Sequence, residues 1–433
     1  MNSMDRSINV GLLGLGVVGS GVAEALTQKS ALIAQQIGRP ICITRILVRD
    51  LDKPRALELP PSLLTTNPGD ILEDPSVDLV VEVMGGERPA LDHLSQALRS
   101  GKSVVTANKE VMAKHGEELL ALAASNGVQI LFEASVGGGI PIIKPLMKDL
   151  RANEIEALRA IINGTTNYIL TRMTYDDMDF AQALQEAQEL GYAESDPTND
   201  VEGIDAAYKL AILASLAFRT RVHIQDVYRE GISRLTAKDL RYARELGYVV
   251  KLMAIAKRKG DQIEARVHPA LIHQEAPLAK VDGVFNAVEV EGDLVGKVLF
   301  HGRGAGSAPT TSAVVADILD VGWTIANEAP TIAAASPGRA VTVCPISDLV
   351  ARYYIRVTVA DRAGVLAQLA TVLGNLQISI ASVIQKEADP AAQTAELVIT
   401  THVSRERDVQ QALTELQELE VVKEICNFLR VEE

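Results

Sequence analysis

The segment INVGLLGLGVVGSGVAEAL, residues 8–26, decides the class of fold. An apolar run leads into GLGVVG, and Val22, Ala23 and Leu26 then recur at helical spacing. This order predicts a strand, a tight glycine turn and a helix whose N-terminus receives a pyrophosphate. The segment therefore predicts dinucleotide binding, and the alternative is a glycine turn that serves only packing. The cofactor contacts that we expect from this turn are Gly14, Gly16, Val17, Val18 and Gly19.

Strand and helix patterns alternate from this turn to residue 132. Apolar runs at 41–48, 78–83, 103–106 and 128–132 are separated by helical patterns at 91–100 and 111–125. Such alternation predicts a doubly wound parallel sheet, in which ligands collect at the carboxyl ends of the strands. The further residues that we expect at this edge are Arg49, Lys53, Gly85, Thr106, Lys109 and Glu133.

The end of the second strand bears on the choice of cofactor. An acidic residue there would bind the ribose hydroxyls of NAD. Arg49 comes first instead, and Lys53 follows, which suits the 2′-phosphate of NADP. Asp50 and Asp52 are acids that would suit NAD. We therefore favour NADP(H) on the two cations and keep NAD(H) as a possibility. The alternative is a solvated, charged loop.

A loop that cannot be regular follows the last of these strands. EASVGGGIP, residues 133–141, contains three consecutive glycines, which free the backbone to turn its carbonyl groups inward. Such a loop suits a cation, a cofactor or a hinge between domains. Composition alone favours the hinge.

The segment GYAESDPTNDVEGIDAAYKLAILASLAF, residues 191–218, passes from carboxylates into a helix that is apolar on nearly every face. Glu202, Asp205 and Lys209 lie along one side of it. One interpretation is an acidic helix start with a single Asp–Lys pair. However, a helix that is apolar all round is buried, and a buried lysine is a candidate proton carrier. We therefore predict an ammonium group beside an acidic pocket.

The middle and C-terminal parts change pattern. Segments 251–267, 283–291 and 297–299 predict antiparallel strands, and the helix at 310–321 is expected to return to the first domain. Residues 353–429 follow the order βαββαβ, a ferredoxin-like unit that we expect to be separate. The predicted boundaries are 1–140 for a dinucleotide-binding domain completed by about 303–327, 141–302 for a substrate and dimerisation domain, 328–350 for a linker, and 351–433 for the C-terminal unit.

Composition narrows the possible functions. The chain has 433 residues, 47% of them hydrophobic, which allows more than one domain. A net charge of −14 argues against nucleic-acid binding, since phosphate contacts need a basic surface. The three cysteines are widely spaced and show no metal or disulfide pattern. We find no signal peptide and no membrane span, and we expect a cytoplasmic protein.

From residue 9 to about residue 322 the chain resembles the homoserine dehydrogenases. The C-terminal unit, with DRAGVL at 361–366, resembles an ACT domain, a module that binds amino acids and couples them to enzymes. No aspartate kinase segment comes first, so the resemblance is to the monofunctional form. The motifs that carry it are GLGVVG (14–19), TANK (106–109), EASVGGGIP (133–141), NGTTNYIL (163–170), GYAESDPTNDVEGIDAAYK (191–209) and GRGAGSAPT (302–310).

The resemblance implies the reversible NAD(P)H reduction of L-aspartate 4-semialdehyde to L-homoserine, in threonine, methionine and isoleucine biosynthesis. It implies that Lys209 gives a proton to the carbonyl oxygen and that Lys109 contacts both substrate and nicotinamide. Glu194 and Asp205 would hold the substrate amino group. Gly191 and Gly306 match positions that line the cofactor.

The resemblance also implies a sodium ion and an oligomer. The sodium would bind backbone oxygens of Glu133, Val136, Gly138 and Ile140, which replaces the hinge by a binding loop. A homodimer or homotetramer is expected. In the C-terminal unit, the turn at residues 361–364 meets a helix N-terminus, where N–H groups suit a carboxylate and an acid suits an ammonium group. Asp361 and Gly364 are thus the expected effector residues, with threonine as the implied inhibitor; a unit that only dimerises is the alternative.

Two other functions fit these residues less well. A semialdehyde dehydrogenase that works through a thioester needs a cysteine nucleophile, and no cysteine lies in the region expected to be catalytic. A regulatory protein that binds dinucleotide and amino acid without turnover would not need two lysines and two acids around one pocket.

Overall fold

The computed structural model describes residues 6–55, 57–330 and 341–432. The chain forms two compact units. The first comprises Met1–Glu156, Tyr208–Ile224 and Asn286–Ala340, and the second comprises Ala157–Ala207, Gln225–Phe285 and Val341–Glu433. Across the described ranges, no helix has the length and apolar character needed to cross a membrane.

Strands and helices alternate in the N-terminal part of the chain. They are β1 Ile8–Leu13, α1 Val17–Gln28, α2 Ser30–Ile37, β2 Ile41–Leu47, β3 Leu64–Thr65, α3 Gly69–Leu72, β4 Leu79–Glu82, α4 Ala90–Arg99, β5 Ser103–Thr106, α5 Lys109–Ser125, β6 Ile130–Leu131 and α6 Ile143–Met147.

The middle of the chain passes from helices to long strands. The elements are β7 Ile155–Ile161, α7 Gly164–Tyr175, α8 Phe180–Glu189, α9 Thr198–Val201, α10 Ile204–Ala217, β8 Tyr228–Arg229, α11 Ala237–Glu245, β9 Tyr248–Lys259, β10 Gln262–His273, β11 Phe285–Gly292 and β12 Gly296–Arg303.

The C-terminal part mixes helices and strands. The elements are α12 Ser307–Ala326, β13 Thr342–Val343, β14 Val350–Ala360, α13 Val365–Asn375, β15 Ile380–Asp389, β16 Thr394–Thr401, β17 Ser404–Arg405, α14 Glu406–Gln417 and β18 Val422–Glu432.

The first unit is built on the predicted parallel sheet. Its strand order is β3-β2-β1-β4-β5-β6, and each neighbouring pair runs parallel. The direction of winding reverses between β1 and β4, which is the switch point where doubly wound sheets bind ligands. This confirms the Rossmann-type part of the predicted fold.

Buried apolar side chains form the core between the parallel sheet and its helices. Val10, Leu12 and Val81 on the central strands are fully buried. Val314 and Ile318 of α12 belong to the same core, and α12 packs against α1. Each such buried side chain stabilises the fold by about 1.5–3 kcal/mol. A helix that follows residue 306 therefore completes the core of the N-terminal sheet.

The second unit contains a mixed sheet whose strands run in the order β7-β9-β10-β18-β14-β16-β15. The segment 251–267, which we predicted to be strand throughout, is two strands. β9 and β10 form an antiparallel hairpin, with Lys259 opposite Gln262 and a turn at Gly260 and Asp261. The signal for this turn was present, because Gly260 and Asp261 are flanked by the charged and polar residues Arg258, Lys259 and Gln262.

The C-terminal part has the predicted ferredoxin-like order of elements. β14 pairs antiparallel with β16 and β18, β15 pairs with β16, and α13 and α14 cover a core that includes Ile355, Leu369 and Val409. The sheet is not separate, however. β18 pairs parallel with β10, with Ala270 opposite Arg430, so the sheet continues into the preceding segment.

The segment expected to be a linker, residues 328–350, lies partly outside the described residues, since 331–340 are not among them. Beyond that gap, β13 pairs with β10 and a short 3₁₀ helix spans Ile346–Asp348.

Candidate active site

The glycine turn after β1 is held against the end of β2. The N–H of Gly14 donates to the carbonyl oxygen of Leu47 at 3.0 Å, and α1 begins after Gly16. A Cβ atom on Gly19 would overlap the carbonyl oxygen of Gly14, so only glycine allows this close approach of helix to turn. Val17 is 71% exposed, which leaves the first turn of α1 open to an anionic group.

The loop after β2 is organised by its own polar groups. Oδ1 of Asp50 accepts the N–H of Asp52 at 2.9 Å, and Arg55 donates to the carbonyl oxygens of Leu51 and Lys53 at 3.0 and 2.9 Å. Asp50 thus helps to fold the loop, while Arg49 and Lys53 are exposed.

A buried carboxylate lies where β4 and β5 end, and the sequence analysis missed it. Glu82 is fully buried; it accepts the N–H groups of Met84 at 2.7 Å and Gly85 at 3.3 Å, and the hydroxyl of Thr106 at 2.6 Å. It therefore shapes the turn at Gly85. The signal was present, because Glu82 is the charged residue in the apolar strand LVVE.

Lys109 is the first residue of α5, and its position depends on Asn108, which was also missed. The side chain of Asn108 accepts the N–H of Val111 at 3.1 Å as the N-cap, and donates to the carbonyl oxygen of Gly86 at 2.7 Å. This joins the TANK segment to the loop after β4. Lys109 itself is half-buried.

Helix α10 carries Asp205 and Lys209 one turn apart, as predicted. Both are buried, with 3% and 8% of their surface exposed. In the first unit, the ammonium group of Lys114 on α5 lies 5.8 Å from the ring centroid of Tyr208, and Arg221 pairs with Glu117 of α5 at 3.0 Å. The helix that begins with Lys109 and the one that carries Lys209 are therefore packed together.

The carboxylates of the acidic segment differ in burial. Asn163 donates to Asp200 at 2.6 Å and to Asp205 at 2.9 Å, so the structure brings these two acids together. Glu194 is exposed on the loop after α8, and its carbonyl oxygen accepts the Gln188 amide at 3.0 Å. Gly191, with φ of 74°, ends α8 just before this loop. The roles of Asn163 and Asp200 were not foreseen.

The carboxylate of Glu133 is committed to the protein. It is 3% exposed and accepts the N–H groups of Ile142, Ile143 and Lys144 at 2.6–2.8 Å, which caps α6. Its own N–H donates to Asp317 at 2.8 Å. The loop therefore offers a cation its backbone oxygens rather than this carboxylate, and no group of three or more His, Cys, Asp or Glu side chains suited to a metal occurs in the described part of the chain.

Asp317 is a second buried acid that the sequence analysis missed, although it is an acid within the apolar helix α12. Burial raises its pKa to about 6, while Lys144 and the N–H of Glu133 act in the opposite direction. The ammonium group of Lys144 lies 3.1 Å from Asp317 and 2.7 Å from Asp320. These ion pairs and the hydrogen bond from Glu133 stabilise the packing of the start of α6 against α12.

The glycine loop at residues 137–139 packs against a second glycine-rich loop at residues 302–306. The N–H of Gly139 donates to the carbonyl oxygen of Arg303 at 3.0 Å. A Cβ atom on Gly138 would overlap the carbonyl group of Gly304, so a larger residue there would separate the loops. Gly306 precedes α12 as its N-cap. Val136 and Ile140, the other residues expected at the sodium site, are buried beside this contact.

The expected effector residues lie at a turn before α13. Gly364 has φ of 86° and forms the N-cap of this 11-residue helix. The N–H of Asp361 donates to the carbonyl oxygen of Gln393 at 2.9 Å, and both Asp361 and Gly364 are exposed.

A dinucleotide turn at the switch point of a doubly wound sheet, together with a buried lysine and a buried acid on one helix, defines a nicotinamide-dependent oxidoreductase. Three family models match the chain. They are the NAD-binding domain of homoserine dehydrogenase at residues 14–133, homoserine dehydrogenase at 141–319 and the ACT domain at 353–421. The chain belongs to the homoserine dehydrogenase family, as the sequence motifs predicted.

Individual relatives match the whole chain or most of it. The homoserine dehydrogenase of Synechocystis is 46% identical over 98% of this chain and 99% of its own. The crystal structure of the enzyme from Thiobacillus denitrificans has a TM-score of 0.93 at 45% identity and covers 99% of both chains. A hyperthermophilic archaeal homoserine dehydrogenase, solved in complex with NADPH, has a TM-score of 0.62 at 28% identity, covering 73% of this chain and 98% of that one.

Proposed function

We propose that this protein catalyses the reversible reduction of L-aspartate 4-semialdehyde to L-homoserine, a step towards threonine, methionine and isoleucine. The observation that carries the proposal is Lys209, an ammonium group buried in an apolar helix one turn after the buried Asp205. The family supplies the reaction, and these residues supply the charges that it needs.

Lys209 is proposed as the proton donor. Reduction of an aldehyde leaves negative charge on its oxygen, and a nearby ammonium group both stabilises that charge and gives it a proton. A bound reduced nicotinamide supplies the hydride. Lys109 is proposed to contact the substrate and the nicotinamide, which is supported by its place at the carboxyl end of the parallel sheet and by the packing of α5 against the Tyr208–Ile224 segment.

Glu194 and Asp205 are proposed to hold the substrate amino group. An ammonium group needs carboxylates that remain charged, and Asp205 accepts an amide hydrogen bond that favours its charged form. Glu194 is exposed on the loop after α8, where it is accessible to a ligand.

For the cofactor we propose NADP(H), with NAD(H) as the alternative. The pyrophosphate would lie on Gly14, Gly16, Val17, Val18 and Gly19, and Gly85, Thr106, Gly191 and Gly306 would line the rest of the site. Arg49 and Lys53 are exposed and suited to a 2′-phosphate, whereas Asp50 has one carboxylate oxygen committed to its own loop. The archaeal relative solved with NADPH supports this preference.

We also propose a sodium ion on backbone oxygens of Glu133, Val136, Gly138 and Ile140. Carbonyl oxygens are hard ligands of the kind that such a cation prefers. The buried carboxylates of Glu133 and Asp317 next to the loop add negative charge, which Lys144 balances only in part. The ion would hold the glycine loop in place and take no part in the proton transfer.

The C-terminal unit is proposed to bind threonine, the end product, at Asp361 and Gly364, and to act as a feedback switch. An ACT domain supports a small-molecule effector. A homodimer or homotetramer is proposed as the working form, and light scattering of the purified protein would determine which.

The test of the proposed reaction is direct. The purified protein is mixed with aspartate semialdehyde and either NADPH or NADH, with and without millimolar threonine, and nicotinamide absorbance is followed. We expect turnover at about 1–10³ s⁻¹, faster with NADPH at low cofactor concentration, and slower with threonine. Lack of turnover with both cofactors would contradict the proposal.

A further inference from the structure

Asn163 is the N-cap of α7 and lies between the buried Asp205 and the half-buried Asp200 of the second unit. Its amide nitrogen donates to Oδ1 of Asp200 at 2.6 Å and to Oδ2 of Asp205 at 2.9 Å. Its amide oxygen accepts the N–H of Thr166 at 2.9 Å and the Thr166 hydroxyl at 3.0 Å. Asn163 is 5% exposed, so its amide is largely shielded from bulk water, although Asp200 is only half-buried.

These contacts leave one orientation for the amide. The helix N-terminus offers N–H donors, which need the amide oxygen, and the two carboxylates need the NH₂ group. If the amide were turned over, its oxygen would face two negative charges and its NH₂ group would face a backbone N–H. The start of α7 therefore aims two donors at the acidic pair.

Two carboxylates that share one nitrogen lie close enough to repel each other. Such a pair tends to take up a proton or to turn apart, and either change would weaken its hold on an ammonium group. Hydrogen bonds from the amide favour the charged form of both acids and fix their orientation.

The first turn of α7 also contacts the loop that carries Glu194. The hydroxyl of Thr165 donates to the carbonyl oxygen of Tyr192 at 2.7 Å, two residues before Glu194. The first turn of α7 thus contacts both segments that carry the proposed ligands of the amino group, which are distant from α7 in sequence.

We propose that Asn163 is a positioning residue for the substrate-binding carboxylates: its amide keeps Asp205 and Asp200 charged and correctly oriented for the amino group of the substrate. The inference rests on the proposed role of Asp205 in binding that group.

Asn163→Asp is the sharpest variant, because it keeps the size of the side chain and an oxygen that can cap α7, but replaces the NH₂ donor with an acceptor. We expect the KM for homoserine to rise by about tenfold or more, the scale of a lost hydrogen bond to a charged group. The acid limb of the kcat/KM profile for homoserine should move to higher pH, since the unassisted carboxylates hold protons more tightly. The KM for NADP⁺ should stay within about twofold.

The matched control is Asp179→Asn, the reverse change at another N-cap. Asp179 accepts the N–H of Gln182 at the start of α8 and lies on an exposed turn. It should leave the KM and the pH profile unchanged. Thermal unfolding of both variants shows whether either has lost its fold.

Asp205→Asn separates failure of the inference from failure of the proposed function. If it leaves the KM for homoserine unchanged, the role of Asp205 is wrong and the inference falls with it. If it raises the KM while Asn163→Asp changes neither KM nor pH profile, Asn163 is only a helix cap and the inference alone is overturned. The double variant should lose less than the product of the two single effects, because both act on one carboxylate; a full product would also overturn the inference.

Discussion

Replacing Arg430 tests whether its buried ion pairs stabilise the packing of strand β18 in the second unit. It is 1% exposed and donates to both oxygens of Glu406 at 2.8 and 2.5 Å, and to both oxygens of Glu230 at 2.9 and 3.0 Å. Glu406 is 2% exposed, so its charge depends mainly on this guanidinium group, with one further hydrogen bond from the Gln410 amide at 2.9 Å. Glu230 comes from the segment after β8, so the cluster joins the ferredoxin-like part to the rest of the unit.

Arg430→Met keeps much of the side-chain bulk and removes the charge. Breaking a buried ion pair by removing one partner costs about 3–5 kcal/mol, because the remaining charge is left without compensation. For a compact unit of this size, each kcal/mol lowers Tm by roughly 2–4 °C, so we expect a drop of about 10 °C. Calorimetry or a thermal-shift assay measures it.

Arg407→Met is the matched control. Arg407 pairs with Asp408 at 3.2 Å, but its side chain is 63% exposed, so its loss should shift Tm by about 2 °C or less. Combining Arg430→Met with Glu406→Gln and Glu230→Gln should recover a large part of the loss, because no unpaired charge remains. A drop for Arg430→Met no larger than that of the control would refute the reasoning. No recovery in the triple variant would show that packing, rather than charge, causes the loss.

Four further predictions concern the reaction, the cofactor, regulation and pH. Lys209→Ala should lower kcat by about 10²-fold or more while the Kd for NADPH, measured by fluorescence, is unchanged; near-normal turnover would exclude it as the proton donor. Arg49→Ala should raise the KM for NADPH more than the KM for NADH, and equal effects in steady-state assays would count against the 2′-phosphate contact. Gly364→Asp places charge where the effector carboxylate would bind, so half-inhibition should require at least about tenfold more threonine; an unchanged inhibition curve contradicts the assigned effector site. His268 is fully buried, and burial, together with Arg430, Arg266 and Lys257, lowers its pKa well below the ordinary 6.5. The unfolded chain then takes up this proton more readily than the folded chain, so the contribution of His268 to the unfolding free energy should fall, by up to about 2 kcal/mol, from pH 7 to pH 5, while the raised pKa of Asp317 acts in the opposite direction. Denaturant midpoints should therefore fall less steeply for His268→Gln than for the unchanged protein, and parallel slopes would contradict this.

Local patterns were sufficient for much of the architecture. The glycine turn, the alternation to residue 132 and the order βαββαβ all follow from short-range periodicity, because each strand or helix exposes its pattern within its own residues. The helix at 365–375 was predicted with the bounds that the structure shows. The lysine and acid on α10 were also found in this way, because two charges in an apolar helix are visible without knowing their surroundings.

Contacts between distant segments decided the rest. Asn163 donates to Asp200 and Asp205, which are distant in the sequence, and no local pattern distinguishes an asparagine that only caps a helix from one that also donates to distant carboxylates. The C-terminal unit looked separable, yet β18 completes a sheet with β10, and Arg430 and Arg356 reach Glu230 and Asp239. Strand pairing depends on edges and registers that only the assembled chain brings together. The sequence therefore determined which elements form and which residues can do chemistry, while tertiary packing decided which of those residues form ion pairs and hydrogen bonds with one another.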